Sequence, residues 1–300
     1  LTTLLGLPKG VIYGAGSIGG EITIKAWIKG HSPGNYPFFL IDDPSRIQNT
    51  ARRMNVDIPI RSIEKPELAN EVFGQALPIL EERLSTDVAE GASSSFTATT
   101  IIRSIDRALD AVVSGAASAM VTNPINKSTL YEAGFSYPGH TEYLANQTNA
   151  QKPAVMMLAS ANLRVVPATI HLSLRDAIDA LSIDKLVQCT ATTARALKQD
   201  FGINRPRIAM AGLNPHAGEK GFLGREEIEI ITPAITKLQA AGLNVTGPFP
   251  SDTLFHETAR QKYDTVICMY HDQALIPSKT LDFDNGVNIT LGLPIVRTSP

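Results

Sequence analysis

Short runs of β-branched and aromatic residues alternate along this chain with segments whose apolar positions recur every three or four residues. The runs Gly10–Tyr13, Phe38–Ile41, Met120–Thr122, Val155–Leu158, Arg164–Ile170, Arg207–Ala211 and Thr265–Met269 predict strands. Between them, Thr99–Val113 sets Ile101, Ile102, Ile105, Leu109 and Val112 on one helical face, and Gly115 follows as a stop. Ser173 and Asp176, three residues apart, predict a capped helix start for Ser173–Leu181. Asp184–Phe201 and Arg225–Ala241 read as two more helices. The second opens with Glu226 and Glu227, where the helix dipole favours acids, and Pro233 marks a kink or a restart within it. Strands alternating with helices predict an α/β protein whose largely parallel sheets are covered on both faces. The expected organisation is two interleaved α/β/α domains, one built from 1–120 and 265–300, the other from 121–264.

Composition narrows the class without changing the fold. In 300 residues, 43% are hydrophobic and 19% charged, which suits a globular chain and excludes disordered, collagen-like and coiled-coil classes. The net charge is −2 and no basic block interleaves with aromatics, so no nucleic-acid partner is expected. The most apolar stretch, Ala108–Val121, is broken by Asp110 and Ser114 and falls short of the roughly 18–20 residues a bilayer span needs. No membrane association is expected, and Leu1–Leu7 is too short for a signal peptide. Two cysteines, Cys189 and Cys268, with no CxxC, exclude a disulfide scaffold or a cysteine-built zinc site and point to a reducing, cytoplasmic location. The start at Leu1 and the abrupt end after Arg297 read as a piece of a longer polypeptide.

One motif suggests a dinucleotide. Gly14, Gly16 and Gly19 form G-x-G-x-x-G between a strand and a helical stretch, and Asp42 falls 23 residues beyond Gly19, near the spacing of a ribose-binding carboxylate. A glycine-rich turn into a helix is the simpler reading of such an isolated match.

The histidines carry more. His171, His216 and His271, 45 and 55 residues apart, each follow a predicted strand or sit in a Gly/Pro-rich loop beyond one. Strand carboxyl ends form the ligand crevice of α/β folds, and three neutral imidazoles suit zinc or a similar first-row cation. His31 and His256 read as structural or exposed. His140 and Thr141 precede Glu142 at a predicted helix N-terminus, a natural anion site. Lys279, Asn288 and Arg297 lie along a turn-rich stretch and, taken together, suit a phosphorylated, carboxylate-bearing small molecule. Lys127 follows another strand end, and Asp252 and Asp272 are candidate acid/base carboxylates.

Seven segments in order, TNPINK (122–127), GHTEYLA (139–145), HLSLRDAIDAL (171–181), GLNPHAGE (212–219), GPFPSDTLF (247–255), YHDQALIPSK (270–279) and GVNITLGLPIVRTS (286–299), resemble the family of 4-hydroxythreonine-4-phosphate dehydrogenases. The likeness is weaker before about residue 95, where only EITIKAW (21–27) and the FFLIDD strand match. It implies an isocitrate/isopropylmalate dehydrogenase-like fold, which does not use the Rossmann glycine loop. It further implies a homodimer with its site at the interface and metal ligands from both subunits. By resemblance, His171, His216 and His271 hold one divalent metal (Zn, Co or Mg), while His140, Thr141, Lys279, Asn288 and Arg297 hold the substrate. The implied reaction oxidises 4-phosphohydroxy-L-threonine at C3 with NAD (or NADP), and the 3-oxo acid then loses carbon dioxide to give 3-amino-2-oxopropyl phosphate. Asp252, Asp272 and Lys127 are the candidates for the proton acceptor, and no cofactor-binding residue is assigned.

Two departures from the family pattern stand out. The G-D-P-A-G-I-G run is replaced by Gly14-Ala15-Gly16-Ser17-Ile18-Gly19, and the family's Asp-His-Gly-Thr-Ala segment lies beyond Pro300. Rival readings are a dehydrogenase of threonate or erythronate 4-phosphate or of an aromatic cis-dihydrodiol dicarboxylate, a phosphate acyltransferase, and a non-catalytic Rossmann-type binding protein.

Overall fold

A parallel pair of strands needs a crossover connection, usually a helix, and the helices of this chain fall where that rule puts them. The computed structural model describes residues 10–13, 18–30, 36–84, 95–125, 130–131, 134–137, 139–151 and 153–300. Among these, one compact unit takes the residues up to Thr148 together with Pro294–Pro300, and the other takes Asn149–Leu293.

The first unit runs β1 (Gly10–Tyr13), α1 (Gly19–Gly30), β2 (Phe38–Asp42), α2 (Pro44–Arg53), β3 (Ile60–Ile63), α3 (Ala69–Val72), β4 (Leu77–Glu81), α4 (Ser95–Val113), β5 (Ala119–Thr122) and α5 (His140–Gln147). Its strands pair in parallel in the order β3-β4-β2-β1-β5. α2 starts at Pro44 because Asp43 accepts from the Ser45 and Arg46 backbone N–H groups and Pro44 has none to satisfy. Ile24, Trp27, Leu40, Ile47, Leu77 and Ile79 form its core, and Trp27 Nε1 donates to the Phe73 carbonyl at 3.0 Å.

The second unit runs β6 (Val155–Ala159), β7 (Arg164–Pro167), α6 (Leu174–Asp179), α7 (Ile183–Gln199), β8 (Arg207–Ala211), α8 (Thr232–Ala240), β9 (Asn244–Phe249), α9 (Glu257–Arg260), β10 (Thr265–Cys268), α10 (His271–Leu281) and β11 (Val287–Leu291). The strand order is β11-β6-β7-β10-β8-β9. β7, β10, β8 and β9 are mutually parallel, and β6 runs antiparallel to both its neighbours. Alternate residues of β8 feed two cores. Ile208 and Met210 pack with Leu186, Leu197 and Ile235 on one face, while Ala209 and Ala211 pack with Val266, Ala274 and Leu275 on the other. Buried on both faces, β8 is therefore apolar at every position from Ile208 to Ala211. β12 (Arg297–Ser299) then returns the chain to the first unit, parallel to β5. No helix among the described residues is long and apolar enough to cross a membrane.

All seven runs expected as strands are strands, with two shortened. β7 stops at Pro167, because Ala168 N already turns to the Cys268 carbonyl, and β10 stops at Cys268. The helix expected over 225–241 is present without a break over 226–240: Glu227–Ile231 are wound as a wide π-helix, and the regular α-helical part, α8, begins at Thr232 with Pro233 in its first turn. The two units also divide the chain differently from 1–120 with 265–300 and 121–264. β10 lies hydrogen-bonded between β7 and β8, which keeps 265–293 with the second unit, and β5 keeps 121–148 with the first.

Arg207, at the start of β8, donates to Asp264, just before β10, through its backbone N at 2.7 Å and its guanidinium Nη2 at 2.9 Å. Burial pushes the Asp264 carboxyl up, but hydrogen bonds from Arg207 and its charge outweigh that and hold it below the ordinary 3.8. A depressed carboxylate adds stability above its unfolded pKa and loses it as pH falls through the folded value. Asp264→Ala should cost about 1–2 kcal/mol at pH 7, after allowance for partial solvent screening. In urea titrations at a series of pH values, the gap from wild type should close below pH 3.8.

Candidate active site

Two neighbouring strands of the second unit end where the candidate chemistry begins. Beyond β7, Ala168 N donates to the Cys268 carbonyl at 2.8 Å and the buried Thr169 Oγ1 donates to the Met269 carbonyl at 2.8 Å. The segments leaving β7 and β10 are thus stitched together past the sheet. His171 follows with φ 53°, in the left-handed region that side chains rarely adopt, and Ser173 then caps α6 through Asp176 N. On the other side, His271 and Asp272 occupy the first turn of α10. Thr169, His171, Leu174, Tyr270, His271 and Asp272 line a pocket of about 340 Å³.

The His171 and His271 ring centroids are 6.0 Å apart. Two imidazoles each bound about 2.0–2.1 Å from a common zinc have centroids roughly 5–6 Å apart, so the pair suits one cation. Asp272 Oδ1 lies 2.7 Å from His271 Nδ1, which sets the ring orientation and leaves Nε2 for a ligand. His216 is not among the pocket residues, and no group of three His, Cys, Asp or Glu among the described residues is arranged to hold a metal.

His216 lies on the exposed loop after β8, and the loop's backbone is unusual. His216, Ala217, Gly218, Glu219 and Lys220 all have positive φ, between 42° and 79°. Each non-glycine residue there costs roughly 1–2 kcal/mol. Glu227, buried with 3% exposure, offsets that cost. Its Oε1 accepts from the Leu213 and Asn214 backbone N–H groups at 2.7 Å each, and its Oε2 accepts from Asn214 Nδ2 at 2.9 Å. Gly218 is required beside it, since a Cβ there would sit 2.6 Å from Glu227 Oε2. In sequence Glu227 looks like a first-turn helix acid. The preceding Gly/Asn/Pro-rich loop, with its unpaired N–H groups, is the one signal that points to its larger role.

The expected substrate residues divide between the units. His140 and Thr141 open α5, with Gly139 as the residue before it, as the sequence predicts. That helix is held by an aromatic cluster of Phe135, Tyr137 and Tyr143 and by the Tyr143 hydroxyl, which donates to Asp106. Burial and that neighbouring carboxylate push the Tyr143 hydroxyl well up from its ordinary value. Arg297 is buried, with Nε and Nη2 on Thr122 Oγ1 at 3.1 and 2.6 Å. In the second unit, exposed Lys279 reaches over the Phe283 ring. Asn288 lies on β11 opposite Leu158, and its buried Oδ1 finds no donor among the described residues.

Asp252 is exposed on the short turn Ser251–Thr253 beyond β9. Lys127, His31 and Gly14 and Gly16 of the glycine motif lie outside the described residues. Asp42, the supposed ribose ligand, is buried, and its carboxylate binds Arg46 Nε at 2.8 Å and Asp43 N at 2.7 Å. That carboxylate is committed inside the protein, which removes the main support for a Rossmann site.

Glu227→Ala strands the Leu213 and Asn214 backbone N–H groups, while Asn214 Nδ2 keeps its bond to Glu226 Oε2, and should destabilise the protein by about 2–3 kcal/mol. Glu227→Gln, which keeps an acceptor for both backbone N–H groups, should lose less than half of that. Paired denaturation curves measure both.

Comparison with known proteins agrees with this architecture. A family model described as pyridoxal phosphate biosynthetic protein PdxA matches residues 35–300. A Caulobacter vibrioides protein named 4-hydroxythreonine-4-phosphate dehydrogenase is 49% identical over 288 residues, covering 94% of this chain and 85% of its own. The crystal structure of 4-hydroxythreonine-4-phosphate dehydrogenase from Klebsiella pneumoniae is similar with a TM-score of 0.88 and 37% identity, covering 97% of this chain and 89% of its own. A terephthalate 1,2-cis-dihydrodiol dehydrogenase from Burkholderia xenovorans, at a TM-score of 0.64 and 24% identity over 97% of this chain and 88% of its own, shares the fold. With the family model spanning most of the chain and a relative nearly half identical along it, the chain belongs to the PdxA family of pyridoxal phosphate biosynthetic proteins.

Proposed function

We propose that this chain oxidises the C3 hydroxyl of 4-phosphohydroxy-L-threonine to 2-amino-3-oxo-4-phosphobutanoate, with NAD, or NADP in its place, as hydride acceptor. The β-keto acid then loses carbon dioxide to give 3-amino-2-oxopropyl phosphate, on the way to pyridoxal phosphate. The observation that carries this reading is the pairing of His171 and His271 in one pocket at the strand ends, with Asp272 on the His271 ring, in a chain whose relatives bear that enzyme's name.

The chain's own residues suit such a substrate. A phosphorylated amino acid is anionic at both ends, so remote binding energy comes from N–H dipoles and fixed cations. The N-terminus of α5 at His140 and Thr141 supplies the dipole, and Arg297 and Lys279 supply the charge. Asn288 Oδ1 is an acceptor that the substrate ammonium would satisfy.

His171, His271 and His216 would hold one divalent cation (zinc, cobalt or magnesium), which when bound supplies Lewis acidity at an alcohol oxygen. His216 lies outside the pocket of the other two, so a homodimer in which both subunits contribute ligands is part of the proposal. Asp272 is already engaged in orienting His271, and Asp252 or Lys127 takes the hydroxyl proton. The nicotinamide cofactor has no assigned residues. A cytoplasmic location also belongs to this reading, supported by two free cysteines, both buried. Burial pushes the Cys189 thiol up to about 12, which keeps it protonated and unreactive.

Absorbance of NADH with 4-phosphohydroxy-L-threonine tests the reaction directly. NADH should form, stop after EDTA treatment, and return when a divalent metal is added back. Full activity in demonstrably metal-free protein would overturn the metal assignment, and no NADH from metal-loaded protein would overturn the substrate.

A further inference from the structure

Gln273 takes no part in the reaction as described, yet its side chain is built into three loops at once. It sits in the first turn of α10, two residues beyond His271, with 8% exposure. Its Oε1 accepts from Met269 N at 2.6 Å, at the point where the chain leaves β10. Its Nε2 donates to the Gly212 carbonyl at 2.7 Å, the first residue beyond β8 and the root of the His216 loop. The same Nε2 donates to Ser251 Oγ at 2.8 Å, beyond β9 and next to Asp252. Ser251 Oγ in turn donates to the Gly212 carbonyl at 3.0 Å. One primary amide, with one acceptor and two donors, thus has every hydrogen spent and joins the ends of three strands.

An apolar side chain of the same volume would fill the space but strand Met269 N, which has no ladder partner past the sheet, and leave the Gly212 carbonyl only its bond from Ser251 Oγ. The groups that Gln273 joins are the roots of the segments bearing His271, His216 and Asp252. We infer that Gln273 is a positioning residue that holds the His216 loop and the Asp252 turn at a fixed setting relative to the helix start bearing His271. The inference deepens the proposed function, since it rests on the roles assigned to those three residues.

The test compares wild type, Gln273→Leu and Ser251→Ala, each as the full protein, by amide hydrogen exchange and by titration with the metal alone. Gln273→Leu removes three hydrogen bonds at nearly constant volume, and Ser251→Ala removes one of them with little risk to folding. Exchange should quicken at 212–219 and 251–253 in both variants, more in Gln273→Leu, while 174–179 on the opposite side of the pocket stays as in wild type. Metal affinity should fall roughly 10- to 100-fold in Gln273→Leu, the range typical of groups that orient metal ligands from one step away. KM for the phosphorylated substrate should change little.

Wild-type exchange in those two segments overturns the inference. So does a loss of protection spread evenly over the second unit, which marks plain destabilisation. If wild type binds no metal, the metal reading fails on its own. The exchange comparison then decides Gln273 alone, with local loss of protection upholding it and none overturning it. If Gln273→Leu does not fold, Ser251→Ala is read in the same way.

Discussion

Four strands of the second unit, β7, β10, β8 and β9, run parallel and side by side, so their carboxyl ends share one edge. Everything proposed for the site depends on that constraint. It brings the segments bearing His171, His271, His216 and Asp252 to a single rim although they are spread over about a hundred residues of sequence. It also creates a debt of hydrogen bonds, because N–H and C=O groups just past the last ladder rung have no strand to pair with. Thr169, Gln273, Ser251 and Glu227 meet that debt with side chains, each bonding to backbone at or beyond a strand end. The polar residues that are buried at this rim are therefore structural in means and functional in consequence.

Backbone strain points to the same rim. His171 and His216 both hold a left-handed φ, and the run from His216 to Lys220 holds it over consecutive residues. Such conformations persist only where the surroundings enforce them, and they concentrate at ligand-binding sites. At His216 the enforcement is visible in Glu227, a buried carboxylate with three N–H groups around it. At His171 it comes from the Ala168 and Thr169 bonds to the β10 segment and from the Ser173 cap that follows.

Much of this was legible in the residues. The β-branched runs marked their strands because a doubly covered parallel strand must be apolar at every position, and Ser173 marked its helix because a cap needs a side-chain acceptor. β9 was not legible, since Gly247 and Pro248 interrupt it, and neither was β3, whose Arg61 and Ser62 face outward. The helix over 225–241 was legible, but its π-wound start at Glu227–Ile231 was not, since Glu227 turns back to the His216 loop and the regular α-helix begins only at Thr232. Nothing in the spacing of three histidines could tell that two share a pocket and the third does not. Asp42 illustrates the opposite error, where a suggestive spacing met a carboxylate already engaged by Arg46.

In the proposed function, one chain brings His171 and His271 together and a partner subunit completes the cation site. His216→Ala and His271→Ala, each inactive alone, can be unfolded together and refolded as a mixture. If the ligand set is shared between subunits, half the dimers are mixed and one of their two sites is intact, so about one quarter of wild-type activity and metal content returns. If the mixture stays as inactive as its components while forming mixed dimers, His216 and His271 serve one site from the same subunit, and the shared ligand set is ruled out.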